Sequence, residues 1–141
     1  MKKILPLAFI AVTVVLASCS KDDNNNIYVD NLQGSWGLTE DYEGTTVENV
    51  EPLELTDCEK QSTLIFQGNT MTSRVFGEGN NGACEEDTFT VTFSATETTL
   101  TFTMGSIKWS VDYQLSGDTL TLIETDHELD PPVSKLVYTK K

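Results

Sequence analysis

Three thiols, one imidazole, a glycine-rich run and an excess of carboxylates are what this 141-residue chain has for chemistry. A zinc-type centre asks for four nitrogen or sulfur ligands, and Cys58 and Cys84 with the distant His127 do not supply them. His127 lies among Asp126, Glu128, Pro131 and Pro132 in a stretch that reads as a loop, and no serine or cysteine stands in an activating context. Paired carboxylates can cleave a glycosidic bond, but separation and pKa decide that, and with so many loop acids no single pair is informative. Gly77-Glu78-Gly79-Asn80-Asn81-Gly82 matches the string GxGxxG. A dinucleotide site would need a helix N-terminus after it, whereas acidic residues and a strand pattern follow. The expectation is therefore a protein that is not an enzyme, with no catalytic residues, no metal and no cofactor.

The third thiol, Cys19, has a different context. Lys2 and Lys3 open the chain, Ile4 to Ala17 are largely apolar, and Leu16-Ala17-Ser18 brings small residues to the cysteine, which is the layout of a secretory signal. A transmembrane helix would need ~20 apolar residues, and this run is shorter and contains Pro6. Leu16-Ala17-Ser18-Cys19 resembles the lipobox of bacterial lipoproteins. That resemblance implies cleavage before Cys19 and acylation of its thiol and amine, which would hold the protein on a membrane. Residues 1-18 are then a signal peptide and 19-30 a lipidated acidic tether. Its Ser-Lys-Asp-Asp run resembles a signal that sends lipoproteins to the outer face of the outer membrane; retention on the periplasmic face is the alternative. A chain outside the cytoplasm can oxidise its remaining thiols, so Cys58 and Cys84 are the expected disulfide. Closing that 26-residue loop contributes ~3.5 kcal/mol on the chain-entropy relation.

Residues 31-141 form one domain, and their pattern has period two. Phe89, Val91 and Phe93 alternate with Thr88, Thr90 and Thr92; Leu100 and Phe102 alternate with Thr99, Thr101 and Thr103; Trp109, Val111, Tyr113 and Leu115 alternate with polar residues. Such alternation marks half-buried antiparallel strands. Gly68-Asn69, Gly105-Ser106 and Gly117-Asp118 read as two-residue hairpin turns. Strands are expected near 35-42, 62-67, 70-76, 87-95, 98-104, 107-116, 119-124 and 134-139. Closing such a meander removes its unpaired edges, so the fold class is all-β, an eight-stranded antiparallel up-and-down β-barrel; an open sandwich is the alternative.

Leu32-Gln33-Gly34-Ser35-Trp36, the strand Ser62 to Phe66, the hairpin around Gly117-Asp118 and the ending Leu136-Val137-Tyr138-Thr139-Lys140 together resemble the lipocalin-like domains of exported bacterial lipoproteins. The resemblance implies that Trp36, two residues after Gly34, plugs one end of the barrel under a basic side chain of the last strand. Here Lys140 must take that place.

Strand direction puts the connections 68-69, 96-97 and 117-118, all tight, at the end where the chain enters, the base. The longer connections, 43-61, 77-86 and 125-133, then lie at the opposite mouth with both cysteines of the expected disulfide. Most of the 22 acidic residues fall in or beside them, and the net charge is −13. A negative mouth favours a cationic ligand or a basic protein partner and disfavours nucleic acid. With a tether of ~19 Å reach, the mouth should face away from the membrane. Phe66, Phe89, Phe93, Phe102, Trp109 and Tyr113 face inward and are the candidate ligand-binding residues. They either line a pocket or fill the barrel solidly. The first case gives a surface lipoprotein that binds a small amphipathic or apolar molecule; the second gives a protein-interaction module or accessory subunit of a surface complex.

Overall fold

The computed structural model describes residues 26–141. The expected signal peptide, the expected lipidation site Cys19 and the expected tether up to residue 25 lie outside the described residues.

The described residues form nine antiparallel strands: β1 (Gly34–Thr46), β2 (Asn49–Leu53), β3 (Thr63–Gln67), β4 (Thr70–Glu78), β5 (Cys84–Ala95), β6 (Thr99–Met104), β7 (Ile107–Ser116), β8 (Thr119–Thr125) and β9 (Val133–Lys140). Eight of them close into a barrel, because β1 pairs with β3 through Gly34 to Gly37 and with β9 from Trp36↔Lys140 to Gly44↔Val133. The expected hairpins are present, and Gly68, Gly105 and Gly117 take φ values of +59°, +62° and +58°, the conformation a tight two-residue turn asks of its first position.

Three elements differ from the expectation. The stretch 43-61 contains a strand: past Gly37 β1 leaves β3 and its far half pairs with β2. β2 is exposed along nearly all its length and includes Pro52, so backbone ladder bonds hold it and it shows no apolar alternation. The connection expected at 77-86 shrinks to residues 79-83, because β4 runs to Glu78 and β5 starts at Cys84. The GxGxxG string thus spans a hairpin, and a strand follows it.

The folded domain also begins earlier than residue 31. Ile27–Leu32 forms a helix, α1, so residues 27–30 are not tether. Asn26 caps it by accepting from the Tyr28 amide at 3.0 Å and donates to the Ala95 carbonyl at the end of β5. Gln33 exchanges two hydrogen bonds with Gly68, donating to its carbonyl at 3.0 Å and accepting from its amide at 2.8 Å. These bonds fasten α1 across the base, where Leu32 is fully buried.

The core fills the base half of the barrel. Trp36, Phe66, Leu100 and Leu120 are fully or almost fully buried, and the rings of Phe66 and Phe93 meet edge to face at 5.0 Å.

Candidate functional site

Above that core the barrel is not filled. A cavity of about 140 Å³ opens toward the mouth, close to the ~150 Å³ of an engineered apolar cavity that holds one benzene ring. Its aromatic wall is Phe89 on β5, Phe102 on β6 and Trp109 on β7, with the last two rings 5.5 Å apart. Leu64, Met71 and Val111 continue this wall, and Leu122 and Leu136 face it from β8 and β9. Three polar side chains interrupt the apolar lining: Ser73, Ser134 and Glu124. A small apolar space with few polar handles is the usual form of a ligand site.

Of the six candidate ligand residues, the structure brings Phe89, Phe102 and Trp109 to the cavity. Phe66 and Phe93 pack in the core instead. Tyr113 is buried beside them and donates to the Thr96 carbonyl at 2.6 Å, which ties it to the β5–β6 turn at the base. Burial first, then the nearby Tyr28 and Glu97, holds its phenol above the ordinary value. The barrel is therefore filled at the base and hollow toward the mouth. Ser73 and Ser134 went unnoticed in the sequence because polar residues on an inward register look like interruptions of the alternation, whereas Glu124 is one of the acids expected at the mouth beside the connection 125-133.

The mouth is braced as its cysteines suggest. Cys58 and Cys84 form a disulfide with Cα atoms 5.4 Å apart. Cys58 precedes a single 3₁₀ turn, Glu59–Gln61. Thr56 and Glu59 cap this turn reciprocally: the Thr56 amide donates to the Glu59 carboxylate at 2.7 Å and the Glu59 amide to Thr56 Oγ1 at 3.2 Å. Ser62 then closes the seam where β1 leaves β3, its hydroxyl accepting from the Phe76 amide at 2.9 Å and its carbonyl from the Leu38 amide at 2.9 Å. Among the described residues no group of three or more His, Cys, Asp or Glu is placed to hold a metal ion.

Carboxylates stand along the inner side of one wall. Glu124 pairs across strands with Ser134, and Ser134 with Glu43; directly opposed residues share a face of the sheet. One row nearer the base, Asp41 opposes Leu136. A β-bulge between Leu38 and Glu40 turns Asp41 inward, since one extra residue exchanges the two faces. Asp41 Oδ1 is buried without a hydrogen-bond partner. Desolvation, with repulsion from Glu43 and Glu59, holds the carboxyl above its ordinary value against one opposing backbone hydrogen bond. Buried Tyr138 likewise has its phenol raised by burial, and Asp41 adds to the effect.

Basic groups are elsewhere. Arg74 and Glu86 pair at 2.6 Å on the outer surface, and their hydrogen bond holds the Glu86 carboxyl below its ordinary value. Lys135 lies over the Tyr42 ring at 5.0 Å. At the base, Trp36 donates from Nε1 to the Leu32 carbonyl at 2.7 Å, and Lys140 Nζ lies 5.2 Å from the centre of its ring. The plug anticipated from Gly34, Trp36 and Lys140 is thus assembled, with the lysine in the cation–π position.

A family profile described as the lipocalin-like domain matches residues 32–128. Among solved structures, a lipocalin-like protein from Bacteroides uniformis is similar at 16% identity and a TM-score of 0.49, covering 79% of this chain and 99% of that one. Two variants of the fluorescent protein UnaG follow, each at 12% identity. Their TM-scores are 0.43 and 0.42, and they cover 79% and 80% of this chain and 97% and 98% of their own. No curated protein matches in sequence.

Proposed function

The chain belongs to the lipocalin-like domain family, and from that premise we propose that it is a lipid-anchored, non-catalytic binding protein whose barrel holds one small, mostly apolar or amphipathic molecule at its disulfide-braced mouth. The observation that carries this reading is the cavity among Phe89, Phe102 and Trp109. Its apolar wall supplies burial, and its few polar groups fix a pose. The anchor is the lipid on Cys19, read from Leu16-Ala17-Ser18-Cys19. The site of residence is the outer membrane, at the cell surface by the Ser-Lys-Asp-Asp run after the cysteine. Because α1 fastens the start of the domain to the base, the mouth faces away from the membrane and captures its ligand from outside.

Non-denaturing mass spectrometry of the purified protein after exposure to an extract of its own habitat tests the binding reading. A retained adduct that a competitor displaces is expected; a bare protein that also excludes apolar dyes refutes it. Cys19→Ala should move the protein from the membrane fraction to the soluble one, and a mutant that stays with the membranes refutes the anchor.

The rim favours a second reading, that the mouth docks a protein partner. Val75, Met104 and Ile107 are each about half exposed or more at the mouth end of β4, β6 and β7, and exposed apolar side chains grouped at one end of a domain mark interaction surfaces. On this reading the protein is an accessory subunit of a surface complex, and capture of a protein by the Ile107 rim would replace the small molecule.

A further inference from the structure

The ligand-binding reading leaves open the chemical class of the ligand, and the distribution of charge around the cavity narrows it. Glu124 is the one charged side chain that lines the cavity. Its inward row continues through Ser134 to Glu43, with Asp41 in the next row toward the base. None of these carboxylates has a basic partner among the described residues. The cations that could have answered them are turned away: Arg74 to Glu86, Lys60 to Asp57, Lys135 to the outer face of Tyr42 and Lys140 to Trp36, while Lys108, opposite Thr103, is on the outward register next to Trp109 and Lys141 follows β9 at the base.

Across the cavity stands the aromatic wall. The faces of Phe and Trp rings attract cations, most strongly where water is excluded. The second polar handle is independent of the acids. Ser73 is only 5% exposed, it lines the cavity, and none of the side-chain hydrogen bonds among the described residues engages its hydroxyl. Its hydroxyl is therefore a polar handle that a ligand group in the cavity can meet.

We propose that the cavity takes an organic ammonium cation with an apolar body of about one ring, its nitrogen held by Glu124 at the mouth and its body against Phe89, Phe102 and Trp109. This rests on the ligand-binding reading. A neutral molecule of the same shape fills the same walls but leaves Glu124 without a counter-charge, and an anion is repelled by the whole inward row.

Three one-ring probes that differ in charge test the proposal: benzylamine, benzyl alcohol and benzoate, titrated at neutral pH into the purified protein and followed by NMR. Benzylamine should bind tighter than benzyl alcohol by up to about tenfold, the size expected of a charge pair with the exposed Glu124 combined with a cation–π face, and benzoate weakest of all. The preference should shrink as salt is raised. Glu124→Gln should reduce the preference for amine over alcohol to about twofold; Asp118→Asn, which removes the same charge at the base, should leave it intact. Equal affinity for amine and alcohol, or a preference that survives Glu124→Gln, overturns the cation proposal while leaving ligand binding standing. If none of the three probes binds, the ligand-binding reading fails and the proposal with it.

Discussion

Ser62 and Ser73 are equally buried, at 5% exposure each, yet replacing them with leucine should move stability in opposite directions. Ser62 lies in the packed seam between β1 and β3, and its hydroxyl accepts from the Phe76 amide. Leucine there loses that bond and overpacks its neighbours, at a cost of about 1–3 kcal/mol. Ser73 faces the cavity. Leucine there adds three carbons to a wall with space in front of it, worth about 0.8 kcal/mol per CH₂ if fully buried. The cavity is open on one side, so roughly half of that is realised. The net gain is about 1–2 kcal/mol. Urea unfolding of the two variants beside the wild type reads this directly, since small domains show slopes of about 1–3 kcal/mol/M. The Ser73→Leu midpoint should rise by about 0.5–1 M at unchanged slope, and the variant should lose one-ring ligands. A Ser73→Leu midpoint that falls as the Ser62→Leu midpoint does would mean that the barrel is solid at this level, and the hollow-mouth argument would be refuted.

Three further outcomes follow from other parts of the molecule. Phe66→Ala, in the packed base, should cost about 3–5 kcal/mol, whereas Trp109→Ala, on a wall with fewer partners in front of it, should cost less than half as much by the same urea measurement. Replacing Cys58 and Cys84 together by serine should cost about 2–4 kcal/mol and should raise amide hydrogen exchange first in residues 54–61, which the disulfide ties to β5. Asp41 has a folded-state pKa above its unfolded value of 3.8, so the folded state binds its proton more tightly. That proton contributes stability at low pH, and the contribution is lost as pH rises from near 3.8 through the folded pKa. Asp41→Asn should therefore raise the thermal midpoint at pH 7 by a few degrees (about 2–4 °C, for a partly exposed group). The gain should vanish at pH values below 3.8; a gain that is the same at both ends of the range would show that desolvation of the carboxylate is not its source.

The barrel was legible because its strands are half-buried, so burial writes itself into the sequence as alternation at Phe89-Val91-Phe93 or Trp109-Val111-Tyr113. What lacked that signature was illegible for the same reason. β2 (Asn49–Leu53) buries almost nothing, so it has no face to encode. The six residues of α1 are too few to establish a helical period. The mouth ends of β4 and β5 project past the core, and Cys84, Glu85 and Glu86 are exposed on both faces, so they read as part of a loop.

Alternation also tells which way a residue faces but not how high it stands, and the cavity is a matter of height. Trp36, Leu64, Ser73 and Phe89 are opposed one to the next across β1, β3, β4 and β5. All four face inward, yet they run from the fully buried plug beneath Lys140, through two residues at 5% exposure, to a ring that is 38% exposed. A row of directly paired residues therefore climbs from the base to the mouth. That climb is the strand tilt and stagger a closed barrel requires, and it belongs to the whole ring of strands and to no single hairpin. Phe93, Phe102 and Trp109 form a second such row, in which the first residue is core and the other two are cavity wall. Six inward aromatics consequently looked equivalent in the sequence although Phe66, Phe93 and Tyr113 belong to the core, Phe89 and Trp109 to the cavity wall, and Phe102 to both. The same tilt explains why Ser73 reads as an isolated polar slip on β4: it occupies the step at which the row passes from packed core to open cavity, where a hydroxyl can still meet a ligand.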